Sequence, residues 1–372
     1  MAPNPRLQRL HEVGVSIWLD TLSRDLLESG GFAELIGDYS VTGATSNPTI
    51  FAKAIEGSDL YDDQLRRLAA AGQDDTQELF FSLALEDVRD AAELLRPEYD
   101  RTAGSDGFIS FECTPDLADD TDATIAQAID LWQRIDRPNV MIKVPGTEAG
   151  LPAIEELTRR GVNVNITLLF SIERYERVID AYMRGVGARA QAGDPVDSIS
   201  SVASFFLSRI DTKVDARLAE DAPLRGRVAL ASARVAYQRY LAKFAGQQWE
   251  QLERVGARRQ RPLWASTGTK NPDYSDVLYV SELIGPEVVN TMPEHTLRAF
   301  ADHGEVTPTL DTDPDAADRT LAQAQAAGIK LSTMTTELER EGVQSFCDSY
   351  RQLLDCIEGK LELVVTHPHA SQ

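Results

Sequence analysis

A chain of 372 residues, 42% hydrophobic and 26% charged, has an ordinary globular composition and is long enough for one large α/β barrel, although length alone also allows two domains. With 37 basic and 59 acidic residues its net charge is −22, which excludes nucleic acid and anionic membranes as expected partners and requires a locally basic pocket for any anionic substrate. Cys113, Cys347 and Cys356 have no C-x-x-C spacing and the five histidines no ligand spacing, so a reducing compartment is expected, with no disulfide framework, metal or other cofactor. Met-Ala-Pro-Asn-Pro at the start has no signal-peptide pattern, and no apolar run reaches membrane-spanning length. Asn165-Ile-Thr167 matches a glycosylation acceptor only formally, because a strand in a cytoplasmic protein is the expected setting.

Short β-forming runs alternate with amphipathic helical stretches, the pattern of β/α units wound around a parallel sheet. In chain order the predicted strands are Val15–Asp20, Ser40–Thr45, Phe108–Cys113, Val140–Pro145, Val162–Leu168, Ile199–Phe205, Leu263–Thr267 and Val288–Met292. Eight strands close a TIM barrel, so the expected fold class is α/β, a (β/α)8 barrel. Between them, Asp74–Arg96 carries Leu79, Leu83, Val88, Ala91, Leu94 and Leu95 at helical spacing, with Asp74 or Thr76 as its cap. Thr124–Ile135 and Ile172–Ala192 have the same character, and Arg227–Val255 is expected to form two helices broken near Gly246. A further helix is predicted over Gly342–Ile357, and His367–Gln372 has the composition of a frayed end. No repeat, low-complexity stretch or linker divides the chain.

The fourth strand places one lysine in an apolar run. Val140, Ile142 and Val144 surround Lys143, and Pro145-Gly146 ends the strand. If the strand is buried on both faces, the ammonium is costly to desolvate and its pKa should fall. The free amine can then attack a ketone to form a Schiff base. The alternative is an edge strand with the lysine head in water. In a TIM barrel, side chains from several strands converge at the strands' C-terminal ends. Asp20, Asn47, Glu112, Lys143, Thr167, Ser204 and Ser266 all fall at or near those ends. Each also has a plainer reading in isolation. Asp20 could cap a helix starting near Leu22, Asn47-Pro48 could be turn chemistry, and Glu112 could pair with a lysine. Thr167 could be a simple β-branched strand residue, and Arg209 could pair with Asp211. Asn165 inside a strand is harder to dismiss, since a buried amide without partners is costly.

The motifs taken together carry more. Trp18-Leu-Asp20, Thr45-Ser-Asn-Pro48, Phe111-Glu112, Ile142-Lys-Val-Pro-Gly-Thr147, Asn165-Ile-Thr-Leu-Leu-Phe170 and Ser204-Phe-Phe-Leu-Ser-Arg209 occur in an order that closely resembles transaldolase, from about Val15 to Pro293. That family consists of class I sugar-phosphate transferases that work through a lysine Schiff base. The resemblance implies one domain over residues 1–372: barrel elements over about 15–293, then C-terminal helices packing on the barrel over about 294–372.

It also implies roles. Lys143 is the Schiff-base lysine, Asp20 moves the C4 hydroxyl proton, and Glu112 works through a water that Thr167 helps to hold. Asn47 and Asn165 contact the dihydroxyacetone hydroxyls, while Ser204 and Arg209 bind the ligand and its phosphate. Phe206 stands where related fructose 6-phosphate aldolases carry a tyrosine. A phenyl ring cannot protonate the enamine, which favours transfer over cleavage. The seventh strand departs from the S-F-R-N of shorter members. It reads Ala265-Ser266-Thr267-Gly268-Thr269-Lys270, as in the longer-chain subfamily, with Ser266 and Lys270 as ligand contacts and Lys270 standing in for the second arginine. The expected activity moves a dihydroxyacetone unit from sedoheptulose 7-phosphate to glyceraldehyde 3-phosphate, in the non-oxidative pentose phosphate pathway of the cytoplasm. The rivals are an aldolase that releases free dihydroxyacetone and a catalytically silent sugar-phosphate-binding barrel. Phosphorylated sugars are the expected partners, with no nucleic acid or membrane, and a homodimer is left open.

Overall fold

Runs of β-branched and apolar residues flanked by turns are what a strand buried on both faces requires, and eight such runs close into one barrel. A computed structural model describes residues 3–366. The strands are β1 (Val15–Leu19), β2 (Val41–Thr45), β3 (Phe108–Glu112), β4 (Val140–Pro145), β5 (Val164–Leu169), β6 (Ser201–Phe206), β7 (Arg261–Ala265) and β8 (Val288–Met292), each parallel to its neighbours. All eight predicted strands are therefore present, in sequence order, as a TIM barrel with helices between them and more beyond β8. Register pairs Glu112 with Lys143 and Lys143 with Asn165, which brings three polar side chains side by side.

The period-2 alternation of each strand sorts its residues. On β3, Ile109 and Phe111 point outward, and Phe111 packs in an aromatic cluster with Phe51, Phe80 and Phe81. Ser110 and Glu112 therefore point inward. Gly43 on β2 is required by packing: a Cβ there would lie 2.5 Å from Trp18 Nε1 on β1.

Several boundaries differ from the sequence reading. β7 ends at Ala265, because Ser266 turns the chain with a left-handed φ of 56°. β5 runs to Leu169 through an irregularity in its pairing with β6, where Leu168 takes a φ of 60°. The helix predicted over Asp74–Arg96 spans Thr76–Arg101, and its cap is neither Asp74 nor Thr76 but Asp75, which accepts from the Glu78 amide. Leu94 is exposed, lying off the stripe formed by Val88, Ala91 and Leu95. The two helices expected around Gly246 are Val228–Lys243 and Gln247–Glu253, with Gly246 capping the second.

The C-terminal helix is much longer than Gly342–Ile357. It covers Leu331–Thr366, 36 residues, or roughly 54 Å of helix. It lies across the C-terminal end of the barrel. Thr49 donates to Ser349 at 2.7 Å, and Lys213 pairs with Glu341 at 2.6 Å, so the helix is tied to segments following both β2 and β6. The frayed end expected at His367–Gln372 lies outside the described residues.

Candidate active site

β4 is flanked on both sides in the closed barrel, which removes the edge-strand alternative for Lys143. The residue is 5% exposed. Its Nζ donates to the Ser46 carbonyl at 3.2 Å and lies 3.7 Å from Glu112 Oε2. Burial pushes the Glu112 carboxyl up to about 7, against the pull of the Lys143 charge and helped by repulsion from Asp20. Glu112 Oε2 and Thr167 Oγ1 are both buried without a protein hydrogen-bond partner. Each leaves hydrogen-bonding capacity unused inside the barrel, where buried polar groups normally find partners.

The carboxylate of Asp20 follows β1 into the same mouth. The helix that follows starts at Arg24 and is capped by Ser23, which accepts from the Leu26 amide, so the capping alternative for Asp20 is displaced. Thr45 donates to Asp20 Oδ1 at 3.1 Å, and Thr45 Oγ1 lies 2.9 Å from Thr291 Oγ1. Burial raises the Asp20 pKa, opposed by Lys143, the Thr45 bond, Lys270 and Arg209.

A cavity of about 190 Å³ opens between these groups. Asp20, Asn47, Lys143, Ser204, Phe206, Arg209, Ser266 and Lys270 line it, bringing together eight of the residues singled out in the sequence. Asn47 keeps its turn role as well: its side chain accepts from the Ile50 amide as the N-cap of helix Pro48–Glu56. Ser266 Oγ pairs with Ser208 Oγ at 2.8 Å. Lys270 is exposed at the rim.

Asn165 has a different place. It is fully buried, donates to Ser110 Oγ at 3.0 Å and accepts from Ser204 Oγ at 2.7 Å. One N–H and the oxygen of its amide are thus engaged within the protein, and the bond to its oxygen orients Ser204. Arg209 also departs from its plainer reading. Asp211 is occupied by the Ala229 amide and the Tyr279 hydroxyl, and the Arg209 guanidinium lies 5.6 Å from the Phe206 ring and 6.0 Å from that of Phe346. Burial pushes the Arg209 pKa down, opposed by the Asp20 charge.

Sequence reasoning missed Thr45, Ser46, Ser110, Thr291 and Phe346. The strand-end rule that found Asp20 also covers Thr45 and Thr291, whereas Phe346 lies in a distant helix and carries no local signal. A larger cavity, about 520 Å³, opens at the opposite end of the barrel. Its buried carboxylate, Asp106, is already held by Ser16, Trp18 and the Gly107 amide. Among the described residues no three His, Cys, Asp or Glu side chains gather as a metal site, and no helix is long and apolar enough to cross a membrane.

The mouth therefore holds a buried amine, two carboxyl groups with raised pKa, and an arginine that faces rings. Comparison with known proteins points the same way. A family model described as Transaldolase/Fructose-6-phosphate aldolase matches residues 17–357. A transaldolase of Mycolicibacterium smegmatis is 48% identical over 97% of this chain and 99% of its own. One from Thermobifida fusca is 49% identical over 95% of this chain and 98% of its own, and one from Frankia alni is 48% identical over 96% and 98%. The chain belongs to the transaldolase/fructose-6-phosphate aldolase family.

Proposed function

We propose that this enzyme is a transaldolase that moves a dihydroxyacetone unit from sedoheptulose 7-phosphate to glyceraldehyde 3-phosphate, giving erythrose 4-phosphate and fructose 6-phosphate through a Schiff base on Lys143. The observation that carries this reading is the Lys143 amine, buried and 3.7 Å from the Glu112 carboxyl at the floor of the mouth. As a neutral amine, Lys143 attacks the ketose C2, forming a C–N bond while the carbonyl oxygen takes a proton. Loss of that oxygen as water leaves a protonated imine. The C3–C4 bond then breaks, its electron pair moves into the imine to give an enamine, and the C4 hydroxyl proton passes to Asp20. The product aldehyde leaves. An acceptor aldehyde takes its place, and the same steps run in reverse.

The side chains divide this work. Glu112 is half-ionised near neutrality, with a pKa of about 7, so it can both give and take the protons of carbinolamine formation and dehydration. One water bridging Glu112 Oε2 and Thr167 Oγ1 would satisfy both atoms and relay the proton. Asn47 and Ser204 offer hydrogen bonds to the three-carbon unit, with Asn165 orienting Ser204. Arg209 and Lys270, with Ser266 beside them, form the basic patch that phosphate requires on a protein of net charge −22. The barrel and the C-terminal helix act as one domain, since that helix supplies a wall of the site. The setting is the cytoplasm and the non-oxidative pentose phosphate pathway. Sedimentation would decide whether the enzyme pairs with a second copy of itself.

The aldolase alternative predicts release of free dihydroxyacetone. The ring of Phe206 brings no hydroxyl to protonate the enamine, which favours transfer. The test incubates fructose 6-phosphate with enzyme, with and without an aldehyde acceptor. Transfer that depends on acceptor supports this reading, and steady release of free dihydroxyacetone without acceptor overturns it.

A further inference from the structure

The helix that follows β6, Ser208–Asp215, and the residues just after it present three cations towards the C-terminal helix at intervals of one turn. Two of them meet carboxylates. Lys213 lies 3.1 Å from Glu337 and 2.6 Å from Glu341, and Arg217 lies 3.4 Å from Glu337. Arg209 comes first and meets Phe346 instead, with the guanidinium carbon 6.0 Å from its ring centre and 5.6 Å from that of Phe206. Among the described residues, Phe346 is the one member of the cavity lining that comes from beyond Pro293.

The difference has a chemical consequence. A carboxylate at position 346 would extend the ion-pair series, but it would neutralise Arg209 and compete with any incoming anion. An aromatic face attracts the guanidinium and limits its motion while leaving its formal charge in place. We propose that Phe346 is a positioning residue that sets the preference for phosphorylated over unphosphorylated substrates by holding Arg209 ready with no carboxylate among the described residues in contact with it. This rests on Arg209 being the phosphate ligand, and the test separates the two ideas.

The readout is the ratio of kcat/KM for glyceraldehyde 3-phosphate to that for glyceraldehyde, using enzyme already loaded with dihydroxyacetone. That ratio does not depend on the fraction of enzyme that is folded, so a poorly folding variant still reports. Phe346→Leu lowers the ratio about two- to fivefold, mainly through KM, which is the strength of an exposed-to-intermediate cation–π contact. Phe346→Tyr keeps the ratio. Phe346→Glu lowers it towards the value of Arg209→Ala, because the new carboxylate captures the guanidinium. If Arg209→Ala collapses the ratio but Phe346→Leu and Phe346→Glu leave it at the wild-type value, phosphate binding by Arg209 stands and the role of Phe346 is overturned. If Arg209→Ala itself leaves the ratio unchanged, the phosphate assignment fails and the proposal falls with it.

Discussion

Glu112 and Lys143 are register partners on adjacent strands, and their polar ends lie 3.7 Å apart inside the barrel, the Glu112 Oε2 atom having no hydrogen-bond partner in the protein. The pair is close enough to exchange a proton through one bridging water, yet it is not locked in a tight ion pair. Burial outweighs the lysine's attraction, which is why the carboxyl sits near 7 rather than in its ordinary range.

A pH dependence follows from that position. Below pH about 7 Glu112 is mainly the neutral acid, and above it mainly the carboxylate. Dehydration of the carbinolamine needs a proton donor, so the rate of imine formation should fall as pH rises through about 7. Glu112→Gln should be slow at every pH and should lose this limb of the profile. Single-turnover rates of imine formation with fructose 6-phosphate measure it. A limb that persists at the same midpoint in the variant would belong to another group, with Asp20, whose pKa is also raised, the first to examine.

Arg209 separates phosphate binding from carbon chemistry. Loss of a charge-assisted contact costs about 1.5–3 kcal/mol, so Arg209→Ala should lower kcat/KM for glyceraldehyde 3-phosphate roughly tenfold to a hundredfold. The loss with unphosphorylated glyceraldehyde should be much smaller. Steady-state kinetics with both acceptors at one donor concentration make the comparison. Equal losses would mean that Arg209 supports the fold or the catalytic groups, and no loss would leave Lys270 as the main phosphate ligand.

Asn165 is expected to act through its neighbours. Asn165→Ala removes the acceptor of Ser204 and the donor to Ser110, both in the barrel interior. Each partner left unsatisfied costs about 1–3 kcal/mol, so urea unfolding should show a clear loss of stability alongside a fall in kcat. A variant of wild-type stability whose only defect is a raised KM for the sugar would instead make Asn165 a direct substrate contact.

How far these features were legible depends on their range in the chain. The strands were readable because a doubly buried parallel strand leaves a near-continuous apolar run, and Lys143 stands out against that background. The side chains at strand ends were readable for a similar reason, since barrel topology gathers those ends whatever the intervening helices do. Partner choice was not readable. Nothing local says that Ser23 rather than Asp20 caps the first helix after β1, or that Asn165 on β5 meets Ser204 on the adjacent β6 and Ser110 on β3, two strands away. The C-terminal helix was read short because Gly342 and the polar stretch before it interrupt the apolar stripe. Tertiary packing compensates there: Gly342 lies where a Cβ would come 3.0 Å from Leu168, so a larger residue would crowd the strand. Phe346 was invisible for the same reason, because its significance comes from Arg209, a residue far away in the chain.

The most direct measurement is borohydride reduction in the presence of fructose 6-phosphate, followed by peptide mass mapping. The three-carbon dihydroxyacetone adduct should appear on the peptide containing Lys143, and Lys143→Met should lose both the adduct and turnover. Labelling at another lysine, or full activity in Lys143→Met, would contradict the Schiff-base assignment.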